Sequence, residues 1–343
     1  MEQDQIQIPR ITHGRSYPWY YVLYLQIGSW VMRQLVHQLS GNGRRFSQRI
    51  TVASPGLGHG SVACSVCLPR GDYQEPLPVV IVMEGGGFVL GEPNDGEQQS
   101  RMISDQAKAV VISVDYAKAP RFPYPHALLQ VYEVLRWALS PEAKKKLGAD
   151  IDPTRVAVMG NSAGGNLAAS LSLLCAFTSG PCAVFRQGLP ATFRQVAQIL
   201  LYPSVALNDR YGARYMSSER RVQELSLPVW VAEMMEAAYL PPYINKEQIF
   251  IAPLSAEADL LRSIAPQLPP TLFALAGLDC LKLEAHAYAE KLSDADVHVT
   301  VKEFEGANHG FTHYKPGNKG YQKNNVEEAW ELVSGFLIKG FRR

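Results

Sequence analysis

A chain of 343 residues, 47% hydrophobic and 19% charged, is long for one compact domain, short for two independent ones, and too apolar for wholesale disorder. Its 33 Lys and Arg against 32 Asp and Glu leave a formal charge of +1, which excludes a global electrostatic pull toward nucleic acid. An odd count of five cysteines and the lack of any Asn-x-Ser/Thr sequon exclude a disulfide scaffold and point to a reducing, cytoplasmic home.

Met1 to Ile8 carries Glu2 and Asp4 and no basic residue, unlike the n-region of a signal peptide. The apolar stretch from Tyr17 to Met32 is interrupted by Gln26, Gly28 and Ser29 and followed by Arg33, so it is too short and too polar to span a bilayer. It reads as an aromatic-rich helix packed on the rest of the protein, in preference to an interfacial helix touching a membrane.

From Ile50 onward the pattern is regular. Ser61 to Leu68 alternates; Pro78 to Met83 and Val110 to Val114 are apolar, β-branched runs of strand length. Gln98 to Ala107 and His126 to Leu139 have helical spacing between and after them. Arg155 to Met159 predicts a strand, then a Gly-rich turn and a helix over Asn166 to Phe177. Val196 to Leu201, Thr271 to Ala276 and Val297 to Phe304 predict three more strands, and Val326 to Lys339 a closing amphipathic helix. Strand and helix alternate, and the buried strands are apolar on both faces, which predicts an open parallel α/β sheet. Between Pro203 and Phe250 the alternation stops, leaving polar turns and one helical stretch, Pro228 to Tyr239. A long insertion after a strand end reads, with the N-terminal helix, as a lid over the sheet edge.

Gly160-Asn161-Ser162-Ala163-Gly164 lies between a predicted strand and a predicted helix, the context in which G-x-S-x-G has meaning. A sharp turn there needs small neighbours and exposes the Ser162 hydroxyl at a helix N-terminus, whose dipole favours developing negative charge. A serine nucleophile needs a base, and the base an orienting acid. Asp279 directly follows the strand Thr271 to Ala276, and His309 follows Val297 to Phe304 after a short loop. Both fall past strand C-termini on the edge that carries Ser162, whereas His313 lies further on and His298 falls inside a strand. Ser162 is therefore the expected nucleophile, His309 the base and Asp279 its orienter. Gly85-Gly86-Gly87 opens the loop after Pro78 to Met83, where glycines permit close backbone approach. Gly86, Gly87 and Ala163 are the expected oxyanion donors.

Cys64-x-x-Cys67 lies on a strand, where residues three apart face opposite ways, so neither a redox pair nor a zinc half-site is expected. Cys280 adjoins Asp279, with nothing to mark it as a thiolate. No dinucleotide fingerprint follows the first strand and no Walker loop occurs, so neither NAD nor ATP is expected.

These motifs together resemble the hormone-sensitive-lipase-like carboxylesterases of the α/β-hydrolase fold. The matching pieces are Gly85-Gly86-Gly87-Phe88, Asp115-Tyr116 with Ala119-Pro120 and Phe122-Pro123-Tyr124-Pro125, Gly160 to Ala168, Leu201-Tyr202-Pro203, Ala276-Gly277-Leu278-Asp279, Tyr288-Ala289 and Asn308-His309-Gly310-Phe311. The resemblance spans roughly residues 60–340. It implies a mostly parallel eight-stranded sheet flanked by helices, forming an α/β-hydrolase core over 46–202 and 251–343, with a helical cap from 1–45 and 203–250. It also implies cleavage of a small acyl ester or lactone, without metal or cofactor. Two other readings are an acyltransferase or cyclase using the same triad, and a non-catalytic small-molecule-binding module; the presence of His309 disfavours the second.

Departures from the family pattern concern charge. Glu84 stands where the family has histidine before the glycines, Arg121 where it has glutamate after Ala-Pro, Gln130 where an acidic residue is usual, and Leu283-Glu284 for the usual Asp-Glu. A free carboxylate ~4–7 Å from an oxyanion would cost about 2–4 kcal/mol at an effective dielectric near 20, roughly 10²- to 10³-fold in rate. Glu84 is therefore expected to turn away and to support the loop with Gly85 by pairing with Arg121, or else with Lys118.

Overall fold

Runs such as Val79-Val80-Ile81-Val82 and Val110-Val111-Ile112 suit a pleated strand buried on both faces, and they form the middle of an eight-stranded sheet. The computed structural model describes residues 6–37, 42–74 and 76–342; Glu2, Asp4 and Leu39 lie outside them. The elements in chain order are α1 (Trp19–His37), β1 (Gln48–Ala53), β2 (Ser61–Cys67), β3 (Leu77–Met83), α2 (Glu97–Ala107), β4 (Val110–Asp115), α3 (His126–Ala138) and α4 (Pro141–Leu147). Then come β5 (Ile151–Asn161), α5 (Ala163–Ala176), α6 (Ala183–Gln187), β6 (Gln195–Leu201), α7 (Tyr211–Ser217), α8 (Arg220–Leu225) and α9 (Val229–Tyr239). The chain closes with α10 (Ala258–Ile264), β7 (Thr271–Leu278), α11 (Lys282–Asp294), β8 (Val299–Asn308) and α12 (Lys323–Phe341).

The strand order is β1-β2-β4-β3-β5-β6-β7-β8. The last six run parallel, while β2 pairs antiparallel with both β1 and β4. The sheet is thus mixed and mostly parallel with eight strands, as the resemblance implied; the apolar runs by themselves predicted an open parallel sheet and did not mark the antiparallel β1 and β2 edge. Alternate residues feed two cores. Val79, Ile81, Val110 and Ile112 pack under α3, α5 and α11, while Val80, Val82 and Val111 meet Ile103 of α2 and Trp330, Val333 and Leu337 of α12. Cys64 falls in the first core and Cys67 in the second, as a strand spacing of three requires.

β4 lies on one side of β3 and β5 on the other, so the chain reverses its winding between β3 and β5. In an open α/β sheet this switch point leaves a crevice at the strand C-termini. The loop after β3 and the turn after β5 open into it. Helix α5 begins at Ala163, three residues before the periodicity announced it, because Gly164 and Gly165 carry no apolar side chain to mark the first turn. The insertion after β6 holds α7 and α8 as well as α9.

Asn166 fastens this insertion to the core. Fully buried on α5, its Nδ2 donates to the carbonyls of Ser204 at 2.9 Å, just inside the start of the insertion, and Ile251 at 2.8 Å, just past its end. Asn166→Ala leaves two buried carbonyls without a donor, and urea denaturation should show a loss of about 2–4 kcal/mol. A loss under about 1 kcal/mol would mean that Asn166 is not the fastening.

Candidate active site

β5 ends in Asn161 and delivers Ser162 at φ +53° and ψ −119°, a conformation few side-chain-bearing residues adopt. The turn holds because its neighbours lack side chains. A β-carbon on Gly160 would overlap the Gly164 carbonyl, and one on Gly164 would overlap the Met83 carbonyl at the end of β3. The Ser162 N–H donates to the Leu201 carbonyl at 2.9 Å, and its carbonyl accepts from Asn166 and Ser204.

His309 and Asp279 arrive from the ends of β8 and β7. His309 Nε2 lies 2.9 Å from Ser162 Oγ, and its Nδ1 lies 2.6 Å from Asp279 Oδ2. Asp279 is buried, and its other oxygen accepts from the Leu281 N–H at 3.0 Å. Asp279 thereby fixes the imidazole with Nδ1–H toward the acid and Nε2 free to accept from the serine. Burial, the largest single influence, disfavours the imidazolium of His309. The charge and hydrogen bond of Asp279, with a contribution from Glu284, outweigh it and raise His309 above its ordinary value. Such a relay can strip the proton from Ser162 as the hydroxyl attacks an electrophile.

The glycine loop packs against the turn that holds Ser162. Gly85 N–H donates to Asn161 Oδ1 at 2.9 Å, and a β-carbon on Gly85 would come within 2.6 Å of the Asn161 carbonyl. The Gly86 carbonyl accepts from Val89 and Leu90, closing a turn. Gly87 and Ala163 line the cavity that holds Ser162, and Gly86 sits one position behind them in the turn.

Residues 80–313 match Abhydrolase_3, a family of alpha/beta hydrolase fold. The chain belongs to this hormone-sensitive-lipase-like family. It is similar to Esterase LipI of Mycobacterium tuberculosis, 31% identical over 241 residues, covering 70% of this chain and 68% of the relative. Arylacetamide deacetylase of Mus musculus is 25% identical over 308 residues, covering 76% and 74%. Among solved structures, the metagenomic carboxylesterase EstE1 superposes with a TM-score of 0.71 at 26% identity, covering 91% of this chain and 97% of that one. A thermostable esterase from Pseudomonas putida gives a TM-score of 0.74 at 25% identity, covering 96% and 99%. The chain is a carboxylesterase-like serine hydrolase of the α/β-hydrolase fold.

Within that family its departures in charge take a form the sequence reading missed. Glu84 turns away from the cavity, as the charge argument required, but it pairs with neither Arg121 nor Lys118. Its Oε2 lies 3.1 Å from His313 Nε2, with Glu84 buried and His313 partly exposed. Lys118 pairs with Asp115 at 2.9 Å, and the exposed Arg121 lies over the Phe122 ring at 5.4 Å. The physical reason is space: the Glu84 carboxylate occupies room that any side chain at Gly96 would fill, and this directs it toward the loop that carries His309 and His313. Its backbone carbonyl accepts from Tyr116 Oη at 2.7 Å. His313 Nδ1 completes the cluster at 3.1 Å from Tyr202 Oη and 3.0 Å from Thr312 Oγ1. Gln130 is another neutral replacement that keeps a structural task. Its amide accepts from Ala117 N–H at 2.7 Å and donates to Ser54 Oγ at 3.1 Å and the Leu57 carbonyl at 3.2 Å.

The cavity over Ser162 is walled mainly by apolar side chains, among them Phe88, Leu207, Leu227, Met235 and Tyr239. α9 closes it: Tyr239 stacks on Phe88 with ring centroids 3.6 Å apart, and Met235 occupies the space a Gly87 side chain would need. One wall carries Arg214 and Glu236, paired at 2.8 Å, and Arg214 also pairs with the buried Glu284. Glu284 accepts from the N–H groups of Val205 at 2.7 Å and Ala206 at 3.2 Å, so it holds the start of the insertion. Burial, partly offset by Arg214, pushes Glu236 up to about 6. Burial likewise raises the Cys280 thiol, which makes a thiolate beside Asp279 unfavourable. Among the described residues no group of three or more His, Cys, Asp or Glu could hold a metal ion.

Arg33 and Arg214 escaped the sequence reading, since no local pattern separates a tethering arginine from a solvated one. Arg33 of α1 donates to the carbonyls of Val89 at 2.8 Å and Ala119 at 2.5 Å, tying the N-terminal helix to the end of the glycine loop. His313 carried a usable signal: a family histidine missing at 84 and a histidine present one turn past His309.

The Glu84–His313 pair should make stability depend on pH. Burial opposes the His313 imidazolium, but Glu84 outweighs it and raises His313 above its ordinary value. The pair's stabilisation is therefore fully present below the unfolded value of about 6.5 and is lost as pH rises through the raised folded value. Urea denaturation should show Glu84→Ala losing about 2–4 kcal/mol near pH 5.5 and less near pH 9. A difference that stays flat with pH would show that only a neutral hydrogen bond joins the two.

Proposed function

We propose that the chain hydrolyses small neutral carboxylic esters through an acyl-Ser162 intermediate. The observation that carries this reading is the unbroken relay from Asp279 through His309 to Ser162, opening on an apolar cavity. In this reading His309 takes the Ser162 proton as Oγ attacks the ester carbonyl. The N–H groups of Gly86, Gly87 and Ala163 receive the oxyanion, at the N-terminus of α5. His309 then protonates the leaving alcohol, and a water molecule activated by the same imidazole releases the acid. Residues 1–45 and 203–250 act as the cap that shapes the cavity. Arg214 offers one guanidinium to two carboxylates, so that wall carries no surplus positive charge to receive an anionic acyl group.

Ser162→Ala and His309→Ala should each reduce kcat on short p-nitrophenyl esters by roughly 10⁴-fold or more, and the double variant little further, because the relay acts as a unit. Wild-type kcat/KM should fall on acidification with a midpoint above about 6.5, the ordinary imidazole value. Substantial turnover by a clean Ser162→Ala preparation would overturn the assignment. Fluorophosphonate labelling of Ser162 without ester hydrolysis would instead indicate that the acyl group passes to an alcohol or amine.

A further inference from the structure

α1 presents its apolar side to solvent. Among its 19 residues only Leu25 and Ser29 are buried. Trp19, Tyr20, Leu23, Ile27, Trp30 and Leu35 are exposed, Trp19 by 78% and Leu35 by 63%. The polar residues exposed between Trp19 and Leu35 are two glutamines, Gln26 and Gln34, and the helix's single Arg points inward to the Val89 and Ala119 carbonyls. This reverses the usual polarity of a surface helix. The expectation of a packed helix thus holds only for a narrow stripe, where Gly28 lies against Met234 of α9.

The patch continues toward the cavity. Trp230 on α9 is 64% exposed, and Leu227, also exposed, lines the cavity over Ser162. Charge decides among the possible occupants. Residues 6–37 contain Arg10, Arg15 and Arg33 and no Asp or Glu, and Arg10 and Arg15 are exposed just ahead of the helix. Among the described residues the acidic groups facing the segment are Glu233, near Tyr21, and Glu92, 3.3 Å from His37; Glu2 and Asp4 precede it in the chain, outside those residues. A second copy would bring like charges together, whereas an anionic lipid surface complements them. Trp and Tyr beside aliphatic side chains suit the headgroup level of a bilayer. We propose that α1 docks flat on an anionic lipid surface, with the mouth of the catalytic cavity beside the lipid. The helix lies on the membrane, since no helix among the described residues is long and apolar enough to cross one.

The test is co-sedimentation of the full chain with phosphatidylglycerol vesicles and with phosphatidylcholine vesicles, alongside tryptophan emission. Expected are binding to phosphatidylglycerol with a blue shift, weaker binding to phosphatidylcholine, and a decline with salt. Ile27→Asp with Trp30→Ser, at exposed positions of α1, should abolish binding and the blue shift. Arg10→Glu with Arg15→Glu, at exposed positions outside the helix, should weaken phosphatidylglycerol binding by about tenfold or more, and it carries the test should the first pair fail to fold. Absence of binding to either vesicle, binding indifferent to both variant pairs, or a dimer in sedimentation velocity that Ile27→Asp dissociates would each overturn the proposal.

Discussion

The close contact between the end of β3 and the turn after β5 governs the rest of the site. Met83, Gly85, Gly160 and Gly164 let two backbones approach with no side chain between them, and that proximity holds Ser162 in its strained conformation. The glycine loop and Ser162 are therefore positioned by one packing event. Asn161 reinforces it by accepting from the Gly85 N–H. The winding reversal between β3 and β5 puts the contact at the sheet's crevice, and β7 and β8 bring Asp279 and His309 to the same edge. Little of this geometry depends on the insertion after β6, whose α9 closes over a floor already set.

The parts of this protein that sequence reveals are those fixed by backbone and period. β-branched runs marked the central strands, and glycines marked the turns. Strand-end positions placed Ser162, Asp279 and His309, because a strand's C-terminus is a location as well as an order in the chain. Two kinds of feature stayed hidden. Strand direction was one: the alternating run of β2 carries no mark of its direction, and only its pairing shows that it runs the other way. Partner choice among charged side chains was the other. Charge counting required Glu84 to turn from the oxyanion site, yet it could not distinguish Arg121 from His313, since the choice depended on the room left at Gly96.

The fastenings around the glycine loop differ in kind. Arg33 and Tyr116 hold it through backbone carbonyls, Gln130 steadies the neighbouring loop through a neutral amide, and Glu84 holds it through an ionisable pair. Two of these three loop contacts address the main chain and so tolerate change in the loop's side chains. The Glu84–His313 contact joins the loop to the segment that carries His309. A shift in either is thus transmitted to the other, and the loop's N–H groups and the imidazole keep a common frame.

Met235 carries a chemical consequence. Its sulfur fills the space above Gly87 and lines the cavity, while the five cysteines are buried free thiols. Conversion of a thioether to a sulfoxide adds a polar oxygen to a side chain that here has none to spare room for. That oxygen must displace either α9 or the glycine loop, and the loop is already fastened on several sides. Oxidation of Met235 would therefore reshape this site with no cysteine involved, and sulfoxide reduction, not thiol reduction, would restore it.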